Sequence, residues 1–251
     1  MSSEPSLTYL RPEVLKLKQR LDVFINEEVI PAESEYDGHM KDRHYYDNSD
    51  SDNTKEKNDR WSIDAIPPCL FRLQSRAKEL GLWNMFLPPR LLQFPHWDSQ
   101  ILGNELRPSV TDGFTYREYG ILAESTGKSV LGPMACNSSA PDTGNMEVLL
   151  EFGTQQQKQT YLKPLLEGKI RSTFLMTEPD VASSDPTNLQ TVLIKHEQNG
   201  RNNNNKYTLN GKKWWSTGAM DPRCRIGICV AKIVYGNEKD DDNNNNNNES
   251  I

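Results

Sequence analysis

At Gly168 the hydrophobic pattern of this 251-residue chain changes period, from near 3.6 upstream to 2 downstream. A chain that groups its helices ahead of its strands reads as segregated α+β, not as alternating βαβ units. Upstream, Val14, Leu17, Leu21, Phe24 and Ile25 fall at helical spacing over residues 12–29, and Pro31 is expected to end that helix. Residues 37–60 carry dense mixed charge and almost no aliphatics, so they read as a loop insert. A second helix is expected over 68–80, with Leu70, Leu73, Ala77 and Leu80 on one face and Gly81 at its end. Residues 88–113 read as a second loop, and 116–126 as a helix closed by Gly127. A short apolar helical run, 146–152, precedes Gly153. Thr154 and Gln157 form a capping box for a helix carrying Tyr161, Leu162, Leu165 and Leu166, which Pro164 should kink or stop.

Downstream of Gly168, residues 170–177 alternate. Ile170, Ser172, Phe174 and Met176 point one way; Arg171, Thr173, Leu175 and Thr177 point the other. Further strands are expected at 191–196, 206–209, 212–216 and 225–234. Asn210-Gly211 between two of them signals a hairpin turn. The Asn tract at 202–205 sits where a loop expands at little cost, and that at 243–248 belongs to a polar tail expected to be disordered.

Composition narrows the function classes. Twenty-nine Lys+Arg against 35 Asp+Glu give a net charge of −6 with no basic stripe, which argues against nucleic acid as a partner. No apolar run is long enough to span a bilayer, and the N-terminus lacks the h-region of a secretory signal. Cys69, Cys136, Cys224 and Cys229 form no CxxC pair and read as free thiols. His39, His44, His96 and His196 are scattered, so no metal site is expected. Glu147 and Glu151 at i,i+4 read as a solvated helix face, with a paired-carboxylate site as the competing reading.

No nucleophile elbow, P-loop or dinucleotide glycine fingerprint is present. The informative stretch is FLMTEPDVASSDPTN, residues 174–188. A strand ends at Thr177, Glu178-Pro179 turns the chain, and small or hydroxylated residues follow. Such a loop can present backbone N–H groups and hydroxyls to a polar ligand, phosphate included; an ordinary polar loop is the alternative.

This run closely resembles the flavin-binding segment of the acyl-CoA dehydrogenase family. The segment NGKKWWSTG, residues 210–218, resembles the family's second flavin-contacting strand. CNSSAPDTGNM at 136–146, and Phe152-Gly153 followed by YLKPLLEG at 161–168, fit the same family in order and spacing. The PDVASSD form is similar to the branch that holds family members ten and eleven of the human set. The resemblance covers roughly residues 10–235.

The resemblance implies a fold and a site. An N-terminal helical domain (7–168, with inserts near 37–60 and 88–113) would be followed by a partial β-barrel (169–236) and an Asn-rich tail (237–251). The family's C-terminal helical domain, which carries the catalytic carboxylate, is expected to be absent, so no catalytic residue is assigned. FAD is the implied cofactor. Its contacts would be Phe174, Leu175, Met176, Thr177, Glu178, Ser183, Ser184, Trp215, Ser216, Thr217 and Gly218, with Ser184 also touching the acyl-CoA. Of the adjacent Trp214 and Trp215, one should face the core and one the flavin. Glu178 and Asp180 would shape the loop rather than act as a base. Pro186, where the family usually has Ala, should bias Asp185 toward extended geometry.

The implied activity is α,β-dehydrogenation of acyl-CoA thioesters in fatty-acid oxidation, with an electron-transferring flavoprotein as acceptor and a homo-oligomer or complementing chain as partner. An inactive truncated homologue, acting as a binding remnant or split subunit, and an acyl-CoA oxidase are the alternatives. The family branch points to mitochondria or peroxisomes, and the cytoplasm follows if targeting is absent.

Overall fold

The structure, a computed structural model, describes residues 10–45, 62–110, 112–196 and 206–236. The readings at 46–60, at the Asn tract 202–205 and along the tail 237–251 lie outside the described residues. The chain divides into two compact units. The larger holds residues up to Thr173 together with Gly218–Ile226; the smaller holds Phe174–Thr217 and the residues from Gly227 onward.

The larger unit is helical. Helix α1 (Pro12–Phe24) buries Val14, Leu17, Leu21 and Phe24, the stripe its sequence spacing defines. Each such side chain removed from water is worth about 1.5–3 kcal/mol. The expected stop at Pro31 is not there. Residues Ile25–Val29 form a π-helical turn and α2 (Ile30–Tyr45) runs straight on, so 37–45 is helix rather than loop. The π turn explains how the proline is tolerated. Ile30 N–H donates to Ile25 O, five residues back, and this wider register relieves the clash of the proline ring with the carbonyl behind it. The same device recurs at Pro164. A π turn at Lys158–Leu162 ends with Lys163 N–H donating to Lys158 O, just before the proline.

Helix α3 (Pro68–Glu79) is followed by Gly81 at φ +71°, the left-handed position that favours glycine. Residues 88–113 depart from the expected surface loop. They fold into a 3-10 turn (Pro89–Leu92) and α4 (Ser99–Leu102), and bury Leu91, Leu92, Trp97, Leu102 and Leu106. The apolar residues there follow no single period, so the pattern conceals a packed segment.

Helix α5 (Tyr116–Thr126) opens on a capping box between Thr115 and Glu118 and ends at Gly127. After α6 (Gly132–Ala135), α7 (Asp142–Phe152) buries Met146, Leu149 and Leu150. The Thr154–Gln157 box is formed at α8 (Gln155–Gln157), with Gln157 N 3.2 Å from Thr154 Oγ1 and Thr154 N 2.9 Å from Gln157 Oε1. Helix α9 (Lys163–Leu166) ends the helical run, and Gly168 adopts φ +75° against the Trp83 ring.

The strands make two small sheets, and no closed barrel forms among the described residues. β1 (Arg171–Leu175) pairs with β4 (Cys224–Cys229). β2 (Val192–His196) lies between β3 (Lys206–Asn210), antiparallel to it, and β5 (Lys232–Gly236), parallel to it. Leu193 aligns with Leu209 and Ile233, and Lys195 with Tyr207 and Tyr235, so these six share one face.

Two sequence readings are corrected here. The single strand expected at 225–234 is two, because the chain changes partners: Val230 N–H bonds Leu175 O and Lys232 N–H bonds Thr191 O. The hairpin at Asn210-Gly211 does not form either. Neither residue has the positive φ that a type I′ turn needs, β3 pairs with β2, and residues 212–216 are not a strand. Gly211 serves another end. A Cβ there would lie 2.3 Å from Thr191 Oγ1, so its bare backbone permits close approach.

Candidate functional site

The sequence-derived candidates from Phe174 to Thr217 all fall in the smaller unit, and a buried carboxylate organises them. Glu178 is 4% exposed. Its Oε2 accepts from Gln190 N at 2.6 Å. Its Oε1 accepts from Thr191 N at 3.0 Å, Thr191 Oγ1 at 2.5 Å and Lys213 Nζ at 2.8 Å. Burial pushes its pKa up, but these donors, Lys213 foremost, outweigh burial and hold it at about 2. The backbone N–H of Glu178 donates to Ser183 Oγ at 2.8 Å, which ties down the following loop.

Lys213 completes the arrangement. Its ammonium, on a side chain 9% exposed, also donates to Met176 O at 2.9 Å. Next to it, Trp214 N–H donates to Thr177 O at 3.0 Å. The segments 176–178 and 213–214 are thus bound together by main chain and side chain.

Outside this knot the unit presents apolar and aromatic surface. Phe174 is 38% exposed, Trp214 45% and Trp215 81%, while Leu175 and Met176 are half-buried and Thr177 is exposed. The expectation that one tryptophan faces the core is therefore corrected: both reach solvent, their ring centres 5.9 Å apart and tilted by 57°. The cause is local. Trp215 adopts φ +51°, which breaks the strand alternation the reading relied on. A bulky side chain in this region is an uncommon, strained conformation.

Ser183 is buried and Ser184 exposed. Ser216 is half-buried, and its Oγ lies 3.4 Å from Trp214 O; Thr217 is exposed. Gly218 falls in the larger unit, where φ +84° and a distance of 2.9 Å from its missing Cβ to Ser172 O require glycine. Asp185 has the extended geometry expected ahead of Pro186 and caps a 3-10 turn (Pro186–Asn188) by accepting from Thr187 N.

Sequence reasoning missed Lys213 and Thr191. They lie 35 and 13 positions from Glu178, and no spacing rule links a buried carboxylate to partners so far along the chain. The acidic residues of this unit, among those described, are Glu178, Asp180 and Asp185. Glu178 is held ionised, and Asp180 and Asp185 are exposed, so none has the dry setting of a strong general base. The Glu147–Glu151 reading changes too. Burial raises the pKa of half-buried Glu147, while Glu151 pairs with Arg90 at 2.8 Å.

Residues 110–169 match the N-terminal domain model, and residues 173–246 the middle domain model, of the acyl-CoA dehydrogenases. The chain belongs to the acyl-CoA dehydrogenase family. It is 42% identical over 219 residues to acyl-CoA dehydrogenase family member 11 of Gallus gallus, covering 87% of this chain and 22% of that protein. It is 38% identical to FadE2 of Mycobacterium tuberculosis, named as an acyl-CoA dehydrogenase, over 88% of this chain and 44% of that one. A solved structure from Mycobacterium abscessus, assigned by name to the same family, superposes with a TM-score of 0.64 at 36% identity, over 87% of this chain and 46% of the other. The chain therefore spans less than half the length of these relatives. The likeness bears out the α+β reading, helices first and small sheets after.

Proposed function

We propose that this chain carries the flavin-facing part of an FAD-dependent acyl-CoA dehydrogenase, an oxidoreductase for acyl-CoA thioesters in fatty-acid oxidation. In this reading, 7–168 and 169–236 are the first two parts of the family's architecture. The observation that carries it is the exposed aromatic ledge of Trp214 and Trp215, ring centres 5.9 Å apart, tied to the 176–178 segment through Trp214 N–H and Lys213.

Such a ledge fits a planar, amphipathic ring system. Indole faces stack on its apolar surface, and backbone groups along 174–177 with the Thr177 hydroxyl supply polar contacts to its rim. Ser216, Thr217 and Gly218 continue the contact segment, Ser183 ties the loop to Glu178 N–H, and Ser184, exposed on that loop, meets the flavin and the acyl-CoA. When bound, FAD supplies the two-electron acceptor for the hydride leaving the acyl β-carbon. Excluding water from that edge falls to Trp215, the most exposed large side chain of the ledge together with being held out by its own backbone. An electron-transferring flavoprotein would accept the electrons, and a second copy or complementing chain would cover the apolar surface.

A second reading is supported by the acid inventory. With Glu178 held ionised and the other two carboxylates of the unit exposed, these residues bind flavin without removing the α-proton. The smaller unit is then a flavin-holding part that needs a base from outside it.

The test is a visible spectrum of the natively purified chain, with identification of any released cofactor. Stoichiometric FAD that bleaches on addition of acyl-CoA supports the dehydrogenase. FAD that does not bleach supports the holder. A protein that stays colourless in excess FAD refutes both.

A further inference from the structure

The Trp214–Trp215 ledge and the 176–178 segment to which it is tied lie about 35 residues apart in the chain, and a small set of bonds joins them. Three consecutive residues on one side, Met176, Thr177 and Glu178, meet two consecutive residues on the other, Lys213 and Trp214. Lys213 Nζ bridges Met176 O and Glu178 Oε1, and Trp214 N–H reaches Thr177 O. Bonds at adjacent positions fix both the sliding and the rotation of one segment against the other. Trp215, next in line, takes its direction from them.

Glu178 is supported independently on its other side by Gln190 N, Thr191 N and Thr191 Oγ1. The carboxylate is therefore anchored to its own loop without Lys213, whereas Lys213 ties residues 211–217 to 176–178 by two side-chain bonds. The asymmetry separates two roles: Thr191 and Gln190 hold the loop, and Lys213 sets the ledge.

We propose that Lys213 is a positioning residue, clamping the Trp214–Trp215 segment onto Met176–Glu178 so that the aromatic ledge is set for its ring ligand. The ligand half of this inference rests on the flavin reading above; the clamp half does not.

The experiment compares the full chain with Lys213→Met and with Lys213→Met/Glu178→Gln, the second being free of an unpaired buried carboxylate. Two quantities are read: hydrogen exchange at the amides of Trp214, Gln190 and Thr191, and FAD affinity from quenching of flavin fluorescence. Losing a charge-assisted hydrogen bond corresponds to a tenfold or larger change in an equilibrium constant. Exchange at Trp214 is thus expected to accelerate about tenfold or more in both variants. In Lys213→Met, Gln190 and Thr191 should stay within roughly twofold of wild type, since their acceptor is retained. The FAD dissociation constant should rise by about the factor seen at Trp214.

Unchanged exchange at Trp214 overturns the clamp. So does weaker FAD binding with Trp214 still protected, because Lys213 would then act on the ligand directly. Uniform acceleration at all three amides also overturns it, since that is the mark of a merely structural residue. If wild type binds no FAD, the flavin reading falls and the exchange pattern alone decides the clamp. If Lys213→Met does not fold, the neutral double variant gives the same Trp214 and FAD readouts.

Discussion

Replacing Gly211 with alanine probes the contact that the hairpin reading overlooked. Gly211 does not adopt a positive φ, so alanine suits its backbone, and the whole penalty comes from what the new methyl meets. It would lie 2.3 Å from Thr191 Oγ1 and 2.6 Å from both Thr191 Cβ and Cγ2. Thr191 is 2% exposed, and rotating its side chain cannot move its Cβ, so backbone must shift. Overpacking of this kind costs about 1–3 kcal/mol. The displaced Thr191 hydroxyl also gives up its bond to the ionised Glu178. A hydrogen bond to a charged group is worth about 1.5–3 kcal/mol. Restricting the unfolded chain returns about 0.4–1 kcal/mol. The net expectation is a loss of about 2–5 kcal/mol.

Urea-dependent hydrogen exchange, read at the slowest amides of each unit, measures this in the unit concerned. Thr191→Gly removes all three clashing atoms, so adding Gly211→Ala in that background should cost less than about 0.5 kcal/mol. Gly120 and Gly144 serve as controls: each lies within a helix, with open space where a Cβ would be. Alanine at either should stabilise by about 0.5–1 kcal/mol. A Gly211→Ala variant within about 0.5 kcal/mol of wild type, or a cost that simply adds to that of Thr191→Gly, refutes the close-approach argument.

Two further outcomes follow from the same geometry. Glu118 is held at about 2 by Arg11, which bonds both its oxygens, against the opposing effect of burial, and Glu178 is held at about 2 by the donors around it. Both folded values lie below the unfolded one. Their stabilisation is therefore complete above the unfolded pKa and is lost as pH falls from about 4.5 toward 2, with roughly two extra protons taken up on unfolding in that window. Acid titrations of Glu118→Gln and Glu178→Gln should each flatten part of that slope, and an unchanged slope in either would refute its assigned role. Trp215→Gly relieves a left-handed tryptophan that is 81% exposed, so stability should stay within about 1 kcal/mol of wild type. Flavin affinity should fall at least tenfold in the same variant, on the order of one lost aromatic contact. A folded Trp215→Gly protein that retains full affinity would remove Trp215 from the ligand surface.

Much of the helical unit was legible because local rules decide it. The stripe Val14–Leu17–Leu21–Phe24, the Thr154–Gln157 box and Gly81 each act within a few residues of themselves. The proline at 31 misled for an instructive reason. The steric rule holds for an α-helix, but a π turn one step upstream removes the clash, and only the folded chain shows where that extra residue is placed. The packed 88–113 segment was hidden because its buried leucines obey no period.

For the candidate site the division is sharper. Sequence by itself determined the order of helices and strands and the residue types of the proposed flavin surface: an aromatic pair, a hydroxyl-rich loop and a Glu-Pro turn. These are properties of short stretches, fixed by side-chain chemistry and spacing. Tertiary structure alone decided that Glu178 is sealed by Thr191 and Lys213, that Gly211 is required for Thr191 to approach, and that both tryptophans face outward. The first two of those facts depend on the meeting of segments 13 to 35 residues apart. A buried charge must find its partners wherever the fold delivers them, and no local pattern records the address.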